Sequence, residues 1–403
     1  MIVTDGSPRI TKVRFAGLRT AASVVLVLDG LTVLIGPNGV GKSTLIEGVE
    51  LLRKVTTGDD FLRSLHDDHG GVRSLLTHGA TELRLEVWAD VGAVEFRYQL
   101  ILERANGGFT IANESLDKYL ETGPETLFAR VGDTFIKDPV NSVGTLQRIR
   151  SRQPLLRSMN SPDTEAIVML LEGIDVHTGF VTQAVWAGRT AADRSTRGEN
   201  IVQATSRLAR GGTNLPNAFL ALRNRDDWQD TLATVRLVVD EDIVDITTPP
   251  SASGGSIGLE VKYRTGAVPA FALSDGTLAL LSLVAVTSLE GFDPTRSLLV
   301  LDEPDLHLHP TAIRYVVTLL EQCAARYPVV IATHSDQLLD CLRDPARSAV
   351  LCELDEHRRL RLQRPDRASL EKWLPKYRGV GELRAEGYGS LVFPPPARVA
   401  DKS

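Results

Sequence analysis

The chain has 403 residues, 43% of them hydrophobic and 24% charged, with a net charge of −6 at neutral pH. This composition excludes a disordered or collagenous chain and leaves room for the core of one large domain or two moderate ones. The acidic balance, with a pI near 5.8, lacks the basic excess that marks a dedicated duplex binder.

In chain order, strands are predicted at Val24–Leu28 and Thr32–Ile35, followed by a helix that starts near Lys42. Short β-branched and apolar runs of this kind read as buried strands. From Asp59 to Gly79 the sequence reads as loop, with His66 and His69 in a solvated turn. Glu82–Trp88 and Val94–Leu102 alternate apolar and polar residues, and with Phe109–Ala112 they predict an antiparallel meander. Residues 116–255 read as a mixed helical and irregular insertion that ends in the Pro/Ser/Gly-rich Thr247–Ser256. The insertion carries no sustained heptad, so a compact lobe is expected and not a coiled-coil arm.

The expected organisation is an N-terminal lobe (1–115), an insertion lobe (116–255) and a C-terminal lobe (256–403). The fold class is α/β, with a mixed or parallel core sheet and an antiparallel β-subdomain. The longest apolar stretch, Leu278–Val286, is too short to cross a bilayer. Met1–Gly6 has neither a basic nor an apolar leader segment, and Cys323, Cys341 and Cys352 lack metal-type spacing. A cytoplasmic protein without membrane attachment is expected.

Four stretches carry chemistry. Gly36-Pro37-Asn38-Gly39-Val40-Gly41-Lys42-Ser43 fits the phosphate-loop pattern at every fixed position, between a predicted strand and the helix opening Ser43-Thr44. Backbone N–H groups at a helix start suit a phosphate; Lys42 adds a point charge and the Ser43 hydroxyl an oxygen ligand for Mg²⁺. In Leu298-Leu299-Val300-Leu301-Asp302-Glu303-Pro304-Asp305 an apolar run delivers two adjacent carboxylates. Asp302 suits the metal's shell and Glu303, one step on, the polarisation of an attacking water. Pro328–Ser335 is another apolar run that ends in His334, a residue able to donate to a γ-phosphate. Finally, Leu273-Ser274-Asp275-Gly276-Thr277 opens an apolar helix, with Ser274 at the N-cap position and Gly276 permitting close backbone approach.

Together these stretches resemble the ABC-type ATPase head. The run 301–310, the Ser-Asp-Gly-Thr signature and the tail around Trp373–Tyr377 and Gly381–Leu383 resemble more narrowly the RecF-type ATPases of the RecF/SMC/OLD group. The resemblance covers about the first 110 and the last 140 residues. It implies ATP with Mg²⁺ held between two copies of the chain, an ATP-dependent homodimer. The loop Gly36–Thr44 of one copy would hold the phosphates, while Ser274 and Gly276 of the other approach them. Asp305 would lie in a loop crossing the dimer interface, and Arg19 near the nucleotide. DNA is the partner the resemblance implies.

The sequence also departs from that pattern. No glutamine loop can be placed, since Gln99 falls inside a strand and Gln147 and Gln153 lie in an arginine-rich segment. No aromatic platform for adenine is evident. The insertion and the missing glutamine loop disfavour a transporter subunit, and the 69 residues after His334 leave no room for a nuclease domain. Arg148, Arg150, Arg152 and Arg157, and Arg358, Arg359, Arg361, Arg364 and Arg367, form basic segments that suit either phosphate or salt bridges. Two settings follow: an ATP-driven clamp in DNA repair or chromosome maintenance, or a switch subunit of a phage-defence or toxin system gating an effector protein.

Overall fold

A computed structural model describes residues 8–57, 60–105, 107–137, 147–148, 153–184, 195–252, 254–289, 296–306 and 308–393. Met1–Gly6, Arg150, Arg152, Ser253 and His307 lie outside these.

A six-stranded sheet forms the centre, in the order Ile174–His177, Leu298–Asp302, Val329–Thr333, Leu31–Ile35, Ala349–Leu354, Leu360–Gln363. The first five strands run parallel and the last antiparallel. Every residue of Leu31–Ile35 and of Val329–Thr333 is buried, because both faces of the sheet are covered. Leu34, Val330 and Val300 join the apolar core on one face; Val33, Ile331 and Leu301 join the core on the other. This two-residue alternation within a continuous apolar run is what a doubly covered parallel sheet requires.

On the first face lies the helix Lys42–Thr57, and beyond it an eight-stranded antiparallel sheet. The helix touches Arg9–Leu18 and Glu82–Val91 of the large sheet and Ile174–His177 and Leu298–Asp302 of the central one. Gly48 permits this approach: a Cβ there would lie 2.8 Å from the Phe15 ring. On the second face, the helices Leu215–Arg223, Trp228–Val238, Asp275–Ser288 and Pro310–Ala324 pack around one core.

Three elements differ from the sequence expectation. The boundary at 115 falls inside a strand, Gly108–Leu120, and the meander continues through Gly123–Val131 and Thr134–Lys137. Within 116–255, Ile174–His177 forms the edge strand of the central sheet, beside Leu298–Asp302. The stretch read as loop from 59 to 79 holds two short helices, Phe61–Asp67 and Val72–Leu75. There the Asp60 side chain caps the Arg63 N–H, and Phe61 and Leu65, one turn apart, are buried.

The edge strand carries a buried charge cluster. Asp175 lies 3.1 Å from Nε2 of His177 and 2.9 Å from the guanidinium of Arg296. Burial pushes the Asp175 carboxyl up, but the His177 contact and the Arg296 and Arg207 charges outweigh it and hold the group at about 2. A depressed carboxyl stabilises the fold above its unfolded value, near 4, and loses that contribution as pH falls through the folded value. Asp175→Ala should lower the unfolding free energy by about 3–5 kcal/mol, because Arg296 loses its buried counter-charge. It should also flatten the loss of stability between about pH 4 and 2. Denaturant melts of both proteins across that range check both effects; a variant within 1 kcal/mol of the parent would refute the assignment (an order-of-magnitude threshold).

Candidate functional site

The site lies at the carboxyl edge of the parallel strands, where open α/β sheets bind ligands. The register sets its geometry: Asp302 pairs with Ala332, and Thr333 with Ile35, so Gly36, Glu303 and His334 all emerge at one edge.

After Ile35 the chain turns through Gly36–Gly41 into the helix. Gly36 and Gly41 have no room for a side chain: added Cβ atoms would sit 2.3 Å from the Cys352 carbonyl oxygen and 2.2 Å from Thr20 Oγ1. Gly39 and Gly41 also take positive φ, at 79° and 112°. Pro37, Asn38 and Gly39 form the exposed crest, while Val40 and Thr44 are buried. The helix leaves its first-turn N–H groups without intrahelical acceptors. Lys42 is only 5% exposed, and its Nζ donates to the carbonyls of Gly36 (2.7 Å) and Pro37 (3.0 Å). Within this cradle only exchangeable hydrogen bonds hold the lysine.

Ser43 Oγ donates to Asp302 Oδ2 at 3.3 Å, across 259 residues of sequence. Burial, then the adjacent Glu303 charge, push the Asp302 carboxyl up, against the Ser43 hydrogen bond and Lys42. A hydroxyl beside a carboxylate offers the hard oxygen donors that Mg²⁺ takes, so these residues fit that ion. Glu303 has φ +51°, a left-handed conformation for a non-glycine residue, and its N–H donates to the Ala332 carbonyl at 2.7 Å. Its Oε1 lies 3.2 Å from Nδ1 of His334. Asp305 accepts from Thr333 Oγ1 at 2.8 Å, which ties the two motif loops together.

The signature residues stand elsewhere. Ser274 caps its helix, accepting from the Thr277 N–H at 3.1 Å. With Gly276 it lines an open cavity of about 760 Å³ formed with Trp228–Val238 and the start of Pro310–Ala324. Among the described residues, no hydrogen bond joins Ser274 or Gly276 to the phosphate loop. The fold gathers Gly36–Thr44, Asp302, Glu303, Asp305 and His334 at one sheet edge, while Ser274 and Gly276 line a separate cavity from the one Asp302 and Glu303 line.

Other expectations fare differently. Arg19, expected near the nucleotide, binds Glu47 of the phosphate-loop helix at 2.5 and 2.8 Å. Glu47 in turn meets His69 Nδ1 at 2.6 Å, so His69 is packed against the helix and not in a solvated turn. Gln99 hydrogen-bonds Glu86, and Gln153 holds Asp60 and the Phe61 N–H. Of the basic segments, Arg361 and Arg367 pair with Asp355 and Asp344, and Arg364 donates to the Val27 carbonyl. Among the described residues there is no cluster of three metal-ligating side chains and no helix long and apolar enough to cross a membrane.

Sequence reading missed several residues. Thr333, hidden in an apolar run, braces Asp305 and accepts from the Ser335 N–H. Asp340 caps the helix Val380–Ala385 through the Gly381 N–H at 2.7 Å, and Arg384 holds Asp336 at 2.6 Å. The tail is thereby clamped to the short helix Asp336–Leu339 just after His334. The glycine spacing Gly379-Val380-Gly381 was the available signal, since a Cβ at Gly381 would lie 1.8 Å from the Asp336 carbonyl oxygen.

The family described as "AAA domain, putative AbiEii toxin, Type IV TA system" matches residues 31–340, from the phosphate-loop strand to just past His334. The chain belongs to this family. Its fold is that of an α/β P-loop ATPase domain, a nucleotide-binding class that typically works with Mg²⁺. Solved structures similar to it include an SMC head bound to the C-winged helix domain of ScpA, 13% identical, covering 89% of this chain and 99% of that one with a TM-score of 0.48. Another is the SMC head domain from Thermotoga maritima (14%, 89% and 99%, 0.41). A third is an Smc head with an extended coiled coil bound to the C-terminal domain of ScpA, from Pyrococcus furiosus (12%, 92% and 99%, 0.47).

The left-handed Glu303 gives a direct test of strain at the site. Asparagine tolerates that conformation better than glutamate. Glu303→Asn should therefore raise the unfolding free energy by about 1 kcal/mol in the nucleotide-free protein. Thermal melts measure this; an unchanged or lower midpoint would show that the conformation stores no strain.

Proposed function

We propose that this chain is an ATP-hydrolysing switch that closes as a homodimer around two nucleotides. The observation that carries the reading is the Ser43–Asp302 contact beside the Glu303–His334 pair, at the mouth of the Gly36–Thr44 loop. In this reading Gly36–Thr44 binds the polyphosphate, and Lys42 leaves the Gly36 and Pro37 carbonyls for the β- and γ-phosphate oxygens. Ser43 and Asp302 hold Mg²⁺, which when bound neutralises charge developing on the phosphates. Glu303 orients the attacking water and accepts its proton. His334, already 3.2 Å from Glu303, donates to the γ-phosphate.

Support for dimerisation comes from the separate cavity that Ser274 and Gly276 line. Ser274 and Gly276 lie at the exposed start of a 14-residue helix, whose positive end can serve a phosphate only from outside. Two such surfaces facing two phosphate loops form an isologous interface that ligand stabilises and hydrolysis dissolves. Asp305 and the neighbouring exposed Leu306 then belong to that interface.

The setting divides two ways. The RecF-like resemblance supports a DNA-maintenance clamp; the toxin-system description of the family supports a subunit whose closure gates a partner protein. The net charge of −6, together with the pairing of Arg361 and Arg367 within the chain, favours the second. Turnover that duplex DNA stimulates with a steep salt dependence would reverse that preference.

Lys42→Ala should abolish nucleotide binding in a titration with a fluorescent ATP analogue. Glu303→Gln should bind ATP, hydrolyse it at least about 10²-fold more slowly and accumulate as dimer. A monomeric Glu303→Gln at saturating ATP, by light scattering, would defeat the closing-dimer reading.

A further inference from the structure

Arg197 stands outside every motif. Its side chain is 6% exposed, yet it belongs to the turn 195–198, within the stretch that separates the meander from the signature. Its guanidinium reaches one short loop almost entirely. Nη1 donates to the carbonyls of Ala270 (3.1 Å), Phe271 (3.0 Å) and Leu273 (2.7 Å), and Nη2 to Asp275 Oδ1 at 2.7 Å. Nε donates to the Thr182 carbonyl at 2.5 Å.

Those four acceptors bracket Ser274. Ala270–Ala272 is the tight turn that leads into the signature helix, and Asp275 is the first residue of that helix. A single planar, permanently charged fork thus fixes the carbonyls before the serine and the carboxylate after it. The turn carrying Arg197 is itself anchored, with the Thr196 N–H donating to the Val181 carbonyl at 3.1 Å. At Gly212 a Cβ would lie 2.7 Å from Thr196 and 3.1 Å from Ser282 Oγ, so this stretch packs directly on the signature helix.

We infer that Arg197 is a positioning residue for the signature element: it sets the direction in which Ser274 and Gly276 present their N–H and hydroxyl groups to the nucleotide held by a second copy. The inference rests on the closing-dimer reading. A rigid mount matters because such groups act over hydrogen-bond distances, where about 1 Å of misplacement costs on the order of 10²-fold in rate. Lysine cannot replace the fork, since a point charge does not span three carbonyls and a carboxylate.

The test compares Arg197→Ala, Arg197→Lys, Ser274→Ala and the double variant Arg197→Ala/Ser274→Ala in the full chain. Three quantities are measured: ATP affinity of the dilute monomer, ATP-dependent dimerisation in the Glu303→Gln background, and kcat. Each Arg197 variant should bind ATP within about twofold of the parent, because the phosphate loop is untouched, while dimerisation is lost and kcat falls about 10²-fold. The double variant should be no worse than either single one, as expected of groups acting as a unit. Parent-like dimerisation and kcat in Arg197→Ala, with Ser274→Ala impaired, would overturn the role of Arg197 alone. Parent-like behaviour in Ser274→Ala would instead overturn the closing-dimer reading and the inference with it. A tenfold loss of monomer ATP affinity in both Arg197 variants would mean a general folding role and would likewise overturn the inference.

Discussion

The site depends on one constraint, the parallel alignment of Leu298–Asp302, Val329–Thr333 and Leu31–Ile35. Parallel neighbours end at the same edge of a sheet, so three loops leave side by side. Had one strand run the other way, its motif would lie about 15 Å off, at the far edge of a five-residue strand. Parallel pairing needs crossovers and not tight hairpins, so the motifs that meet need not be near in sequence, as Ser43 and Asp302 are not, 259 residues apart. It also demands cover on both faces. The signature helix and its neighbours give that cover on one side, the phosphate-loop helix and the meander on the other.

At that edge the charges are poised against one another. Asp302 and Glu303 are adjacent carboxylates, and burial, then the Glu303 charge, push the Asp302 carboxyl above its ordinary value. Lys42, immediately before Ser43 at the start of the same helix, donates to the Gly36 and Pro37 carbonyls. A polyphosphate with a divalent cation relieves both conditions at once, because it brings acceptors for the lysine and positive charge for the acids.

The central chemistry was legible in the primary chain because it is local: the Gly36–Ser43 spacing and the Leu298–Glu303 run each carry their strand or helix context with them. Strand order and the meeting of Asp302 with Ser43 were legible only through resemblance, since nothing in either segment names its neighbour. What stayed hidden was non-local or disguised by composition. Arg197 sits in a stretch without periodicity and acts on a loop 73 to 78 positions away. Thr333 looks like a β-branched strand residue until its hydroxyl is seen on Asp305. Ile174–His177 is too short, at four residues, to show a period, although it completes the central sheet. The 59–79 stretch was misread because its glycines and polar residues outweighed the Phe61–Leu65 spacing that buries a helix face.

Gly48 gives the phosphate-loop helix an unusual mechanical position. With no side chain there, the helix beds against Phe15 while its opposite flank touches the central strands, so it is gripped like an axle between two plates. Any side chain at position 48 would wedge the helix away from Phe15, and the phosphate loop that opens the helix would be carried with it.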